Sequence, residues 1–194
     1  MGQKKRKKQA ELIQELTDQE LVWNVVASQL IFLFLAAIAS FFLFSWNELF
    51  GLFDFQWMEI FLYGLIPGTV VVIIDLLLIR FVPKKHWDDG GVNEKIFRSL
   101  NAGQILLLAT VIGISEEFLF RGVIHTELGY IVASSIFALV HVRYLRKPVL
   151  LVSVILLSFL IGYMYEITGN LLVPIVAHIW IDFLLGIYYR YRLR

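Results

Sequence analysis

Apolar residues run along this chain in long blocks, and the polar residues gather between them. The blocks lie at about Val25–Phe44, Trp57–Arg80, Ala102–Gly122, Tyr130–Val142, Val149–Tyr165 and Leu171–Tyr188. A helix needs roughly 20 apolar residues to cross a bilayer, so the pattern predicts about six membrane spans. Tyr130–Val142 is short and needs Arg143 to Lys147 to complete its crossing. Trp57–Arg80 is interrupted by Gly64, Pro67 and Gly68, which predicts a kink whose freed backbone groups neighbouring helices must satisfy. Before the first block, KKRKK (Lys4 to Lys8) precedes Ala10–Asn24, which has the period of a short amphipathic helix on the membrane surface. The expected organisation is a basic N-terminal segment, 1–24, followed by one all-α polytopic membrane domain, 25–194.

Composition strengthens this reading. Of 194 residues, 59% are hydrophobic and 15% aromatic, and the mean hydropathy is +0.75. A soluble domain would be nearer half apolar. Cysteine is absent, which removes disulfides, thiolate metal sites and a cysteine nucleophile. Ala37, Ile38 and Ala39 resemble a signal-peptide cleavage site, but the apolar run continues to Phe44, so the first block is read as a retained anchor. Arg6 stands where a myristoylation signal needs Ser or Thr.

The net charge is only +1, yet its placement is informative. Lys4 to Lys8, then Arg80, Lys84, Lys85, Lys95 and Arg98, then Arg143, Arg146 and Lys147, then Arg190, Arg192 and Arg194 all fall on one side. The other loops carry Glu48, Asp54, Glu59, Glu127 and Glu166. The positive-inside rule therefore predicts a multi-pass cell-membrane protein with both termini cytoplasmic. The FLFSWNELFGLFDFQW stretch reads as an interfacial aromatic belt.

Against this background ISEEFLFRG, Ile114 to Gly122, stands out. Glu117 and Arg121 are four residues apart, stacked on one helical face with the acid N-terminal. Glu116 is turned about 100° away from Glu117. The expected division is that Glu117 neutralises Arg121 while Glu116 faces a cavity or another partner, since a carboxylate at membrane depth is costly. Two histidines lie in other blocks, His141 in FALVH and His178 in AHIWID. From the outer helix ends, Glu116, His141 and His178 come out about 12, 16 and 10 Å deep, a shared layer in the outer half. Asp182 follows His178 by four residues, so its carboxylate can hold the imidazole's tautomer and orientation.

These motifs together resemble the CPBP family, the CAAX-protease and bacteriocin-processing membrane proteins also called Abi. EEFLFR (Glu116 to Arg121) is similar to its EExxxR motif, FALVH (Phe137 to His141) to its FxxxH motif, and HIWID (His178 to Asp182) to its HxxxN-type motif. They occur in the family's order over about 102–188, with a motif-free span before the last. The resemblance implies an intramembrane glutamic endopeptidase of the CAAX-protease type, needing no cofactor. It implies that Glu116 activates water, that His141 helps hold it, and that Glu117 and Arg121 form a supporting pair. His178, with the residue four further on, is implied to stabilise the oxyanion.

Asp182 departs from the family's usual Asn. An amide donates to an oxyanion and an ionised carboxylate cannot, so Asp182 is either protonated or orients His178 as an imidazolium. Glu116, His141, His178 and Asp182 acting as metal ligands is a further alternative. A non-catalytic binding or immunity protein is the rival class; a transporter is disfavoured by the lack of internal repeats. The expected partners are the lipid bilayer and a peptide or membrane-protein substrate, with no nucleic acid. His125 and His86 are expected to be solvated in loops, and Asp75 to reach toward Arg80 as a helix-packing charge or to line a cavity.

The orientation is open to a direct check, because any introduced cysteine is the chain's sole thiol. In intact cells a membrane-impermeant maleimide should label Glu127→Cys, and should label Lys85→Cys only after permeabilisation. The reverse pattern inverts the topology.

Overall fold

The computed structural model describes residues 16–141, 144 and 147–192. Lys4 to Lys8, residues 10–15 of the expected surface helix, Arg143, Arg146 and Arg194 lie outside them. The described residues form helices and turns, with no strand among them. The helices are α1 (Asp18–Leu43), α2 (Trp46–Gly51), α3 (Trp57–Phe81), α4 (Val92–Ser99), α5 (Ala102–Leu128), α6 (Tyr130–Val140), α7 (Pro148–Thr168) and α8 (Leu172–Arg192). Five of them, α1, α3, α5, α7 and α8, are long and apolar enough to cross a membrane.

The ends of these helices follow from local chemistry. At α1, Thr17 Oγ1 accepts from Glu20 N while Glu20 Oε2 accepts from Thr17 N, a reciprocal capping box. Asp18 to Asn24, expected to belong to a surface helix, are instead the first turns of α1, which continues unbroken to Leu43. Ser45 and Glu48 cap α2 in the same way, and the two hydrogen bonds that Glu48 receives from Ser45 hold its carboxyl below the usual range. Asn101 and Gln104 cap α5. Gly169, at φ +61°, ends α7 in the left-handed conformation that glycine adopts without strain.

The predicted irregularity in α3 takes the form of a π turn, Ile60–Leu65, with Pro67 in the first turn of the α-helical part that follows. A widened turn accommodates the backbone N–H that proline lacks. α5 has a second π segment, Phe118–His125. α6 departs most from expectation. It stops at Val140 after 11 residues, and His141 leaves the helical conformation at ψ 45°. Of the Arg143 to Lys147 region expected to complete the crossing, only Tyr144 and Lys147 are among the described residues, and Lys147 is extended before α7 begins. At 1.5 Å per residue α6 covers about 16 Å, near half of a bilayer's hydrocarbon thickness.

α8 is the hub of the bundle, packing on α3, α4, α5 and α7. α1 lies against α5 and α4, and α6 against α7 and the π segment of α5. Close approach of α5 and α8 depends on glycine: a Cβ at Gly113 would lie 2.7 Å from Ile179 Cγ1, and one at Gly186 2.7 Å from Ile105 Cγ2. The polar segment between α3 and α5 hides α4, whose apolar face buries Val92 and Ile96 beside Leu21 and Leu108. At the opposite end the loops tie together through Leu171 N to Leu52 O and Asn170 Nδ2 to Asp54 O, at 2.8 and 2.6 Å. The aromatic residues of the belt stretch, Trp46, Phe50, Phe55 and Trp57, are exposed.

Candidate active site

Two adjacent glutamates near the end of the α-helical part of α5 face different surroundings. Glu117 has no exposed surface and sits 3.1 Å from Arg121 Nη1, itself fully buried one turn on. Arg121 donates from Nη2 to the Ser158 carbonyl at 2.9 Å, and its guanidinium lies 4.3 Å from the centre of the Phe137 ring. Ser158 Oγ in turn donates to Ser134 O at 2.8 Å, so the charge pair ties α5 to α6 and α7. A buried ion pair needs further hydrogen bonds to offset desolvation, and Ser158 and His178 supply some of them, while Arg121 Nε has no hydrogen-bond partner among the described residues.

Glu117 also reaches across to α8, where its Oε1 lies 2.6 Å from His178 Nδ1. A carboxylate paired with arginine is ionised and can only accept, so the proton sits on Nδ1 of the histidine. Asp182, read from the spacing as the residue that orients His178, does not fill that role. Its Oδ2 lies 3.7 Å from Nε2, beyond hydrogen-bond length. The close packing of α5 on α8 at Gly113 explains the exchange, for it brings Glu117, one turn further on, against His178.

Glu116 is separate from this network. Its Oε1 accepts a hydrogen bond from Gln29 Nε2 of α1 at 2.9 Å, and it lines a cavity of about 910 Å³. His141, His178 and Asp182 line the same cavity. His141 Nδ1 is 2.8 Å from Phe137 O; since a carbonyl only accepts, Nδ1 carries the proton and Nε2 of the neutral ring is left as an acceptor. α6, α5 and α8 thus bring Glu116, His141, His178 and Asp182 to one volume, while Glu117 and Arg121 are packed behind it. Among the described residues no three carboxylate or imidazole groups converge as metal ligands.

The cavity runs from these groups to Asn93, Phe97 and Tyr189, at the end of the bundle that holds Lys84, Lys85 and Arg98. It therefore extends toward the basic end of the bundle, a direction that helix rise alone, which suggested the outer half, did not fix. The physical reason is the shortness of α6, which leaves unfilled space below His141. Asp75 takes the second of its two readings: it lines the cavity and makes no ion pair with Arg80 among the described residues. His125 is a correction, for it is buried inside α5 with Nε2 2.8 Å from Glu166 Oε2, not solvated in a loop. His86 lies half-buried in a short turn apart from the cavity. Sequence reasoning missed Gln29 and Ser158, and for Gln29 the signal was present as a lone amide within an apolar block.

These features define a polytopic helical membrane protein with a buried carboxylate–imidazole site. Residues 98–184 match the family described as type II CAAX prenyl endopeptidase Rce1-like. The Bacillus subtilis (strain 168) protein named "Uncharacterized protein YpbD" is 42% identical over 156 residues, which span 80% of this chain and 82% of that relative. No solved structure matches the chain. The chain belongs to the Rce1-like, CPBP-type family of CAAX-protease-like membrane proteins.

Removing the Glu117 charge leaves a buried guanidinium uncompensated, so Glu117→Gln should destabilise the fold by about 3–5 kcal/mol. Ser158→Ala keeps the ion pair and the carbonyl acceptor, and should cost about 1 kcal/mol. Unfolding of the purified variants in detergent checks both values; equal losses would contradict this ranking.

Proposed function

We propose that the protein is an intramembrane endopeptidase in which Glu116 activates water. The observation that carries this reading is the inequality of the two glutamates. Glu117 is enclosed by Arg121 and His178, whereas Glu116 lines the cavity with only one oxygen held by a donor among the described residues.

In this reading a water sits in the cavity against Glu116 Oε2 and the acceptor nitrogen of His141. Glu116 takes a proton from the water as its oxygen bonds to the scissile carbonyl carbon. The carbonyl π electrons move to oxygen, and the oxyanion accepts a hydrogen bond from His178 Nε2. That nitrogen donates when the ring is an imidazolium, a form favoured by the neighbouring Glu117 and Asp182 carboxylates. Collapse of the tetrahedral species breaks the C–N bond, and Glu116 returns its proton to the leaving amine. The products are a carboxylic acid and an amine, which exchange a proton to leave a carboxylate and an ammonium. Asp182, 3.7 Å from Nε2, acts through charge, which explains how a carboxylate serves where relatives commonly carry an amide.

The family description adds a substrate class, prenylated proteins bearing a CAAX terminus. For this chain that class is a candidate to be compared with unprenylated peptides. The test is cleavage of an internally quenched prenylated CAAX peptide and its unprenylated counterpart by the full chain in detergent. Glu116→Gln should lower turnover by about 10²–10⁴-fold without loss of folded protein. Asp182→Asn removes a charge but supplies a donor, and should stay within about tenfold of the parent. Unchanged turnover in Glu116→Gln rejects the base assignment.

A further inference from the structure

The cavity has a wall contributed by the N-terminal half of the chain, outside residues 98–184. We infer that Gln29 of α1 is a positioning residue for Glu116, setting which carboxylate oxygen faces the water. This inference rests on the proposed endopeptidase reading, and it adds a residue from α1 to that site.

Gln29 is 96% buried, with a relative exposure of 4%, and sits in an apolar helix between Val25 and Phe32. Its Nε2 donates to Glu116 Oε1 at 2.9 Å. The amide orientation is dictated by chemistry, because an ionised carboxylate accepts and the opposite flip would set two oxygen acceptors against each other. The hydrogen bond occupies Oε1, and Oε2 makes none with any described residue. Gln29 thereby assigns the two oxygens of Glu116 to different tasks, one held by α1 and one open on the cavity.

Gln29 lines the cavity, and its Oε1 is buried without a hydrogen-bond partner among the described residues. A buried amide carbonyl lacking a partner is costly and is normally satisfied by protein or by an ordered water. Helix packing between α1 and α5 is already supplied by apolar contacts such as Phe32 on Phe120, whose rings lie 5.7 Å apart edge to face.

The experiment compares the full chain with Gln29→Leu and Gln29→Glu in detergent, with cleavage of the quenched prenylated CAAX peptide and its unprenylated counterpart as one readout. Leucine keeps the volume and removes the donor; kcat should fall at least tenfold with KM unchanged and thermal stability retained. In Gln29→Glu, the two carboxylates 2.9 Å apart share one proton, and the protonated partner replaces the amide donor. That variant should keep activity at low pH and lose it as pH rises and the second proton leaves, whereas Gln29→Leu is slow throughout. The other readout needs no turnover: the carboxylate stretch of Glu116, identified in the infrared spectrum by its loss in Glu116→Gln, should shift in Gln29→Leu. An unshifted band, or equal pH profiles for the two variants, overturns the inference. A shifted band in a protein that cleaves neither peptide upholds the positioning of Glu116 and counts against the endopeptidase reading instead.

Discussion

A guanidinium with no exposed surface inside an apolar bundle is the constraint around which the site is arranged. Arg121 is tolerable only because Glu117 lies 3.1 Å away and the Ser158 carbonyl takes a second donor. These partners come from its own helix and from α7, and Phe137 of α6 covers its face. Holding Arg121 therefore means holding three helices in register. Glu117 extends the arrangement to a fourth through His178 on α8. Catalytic geometry of the kind proposed follows from this structural requirement, since the residue that neutralises Arg121 also sets the tautomer of the imidazole facing the cavity.

Space for the chemistry arises from a different feature. α6 ends at Val140, about half-way through the thickness a spanning helix would fill. His141 is placed where the helix stops, and its Nδ1 closes back on Phe137 O. Residues of α3, α7 and α8 line the cavity together with it. Glycines act in the other direction. Gly113 and Gly186 bring α5 and α8 close together, so that the cavity does not spread between the two helices that carry Glu117 and His178.

The long apolar blocks made the membrane fold legible, because length and hydropathy alone specify a span. Glu117 and Arg121 were legible as a pair because helical spacing is local. Relations between helices were not. Spacing offered Asp182 as the partner of His178, but interhelical packing substituted Glu117, which is 61 residues away in the chain. Helix rise placed Glu116, His141 and His178 in one layer without saying where α6 would end or toward which end of the bundle the cavity would open. α4 escaped notice because its apolar face, Val92 and Ile96, is short and surrounded by charge. His125 escaped because its partners Glu166 and Tyr165 lie far along the chain, and Gln29 because one amide in an apolar run has no spacing to read.

The central claim is that Glu116 activates water and does not itself attack the peptide. Isotope transfer during a single turnover tests it most directly, using excess protein in H₂¹⁸O and mass spectrometry of both product and protein. Base-activated water places ¹⁸O in the newly formed product carboxylate on the first turnover and leaves Glu116 unlabelled. If the first-turnover product carries no ¹⁸O and the label appears in the Glu116 side chain, the reaction passes through an acyl-glutamate and the account is contradicted.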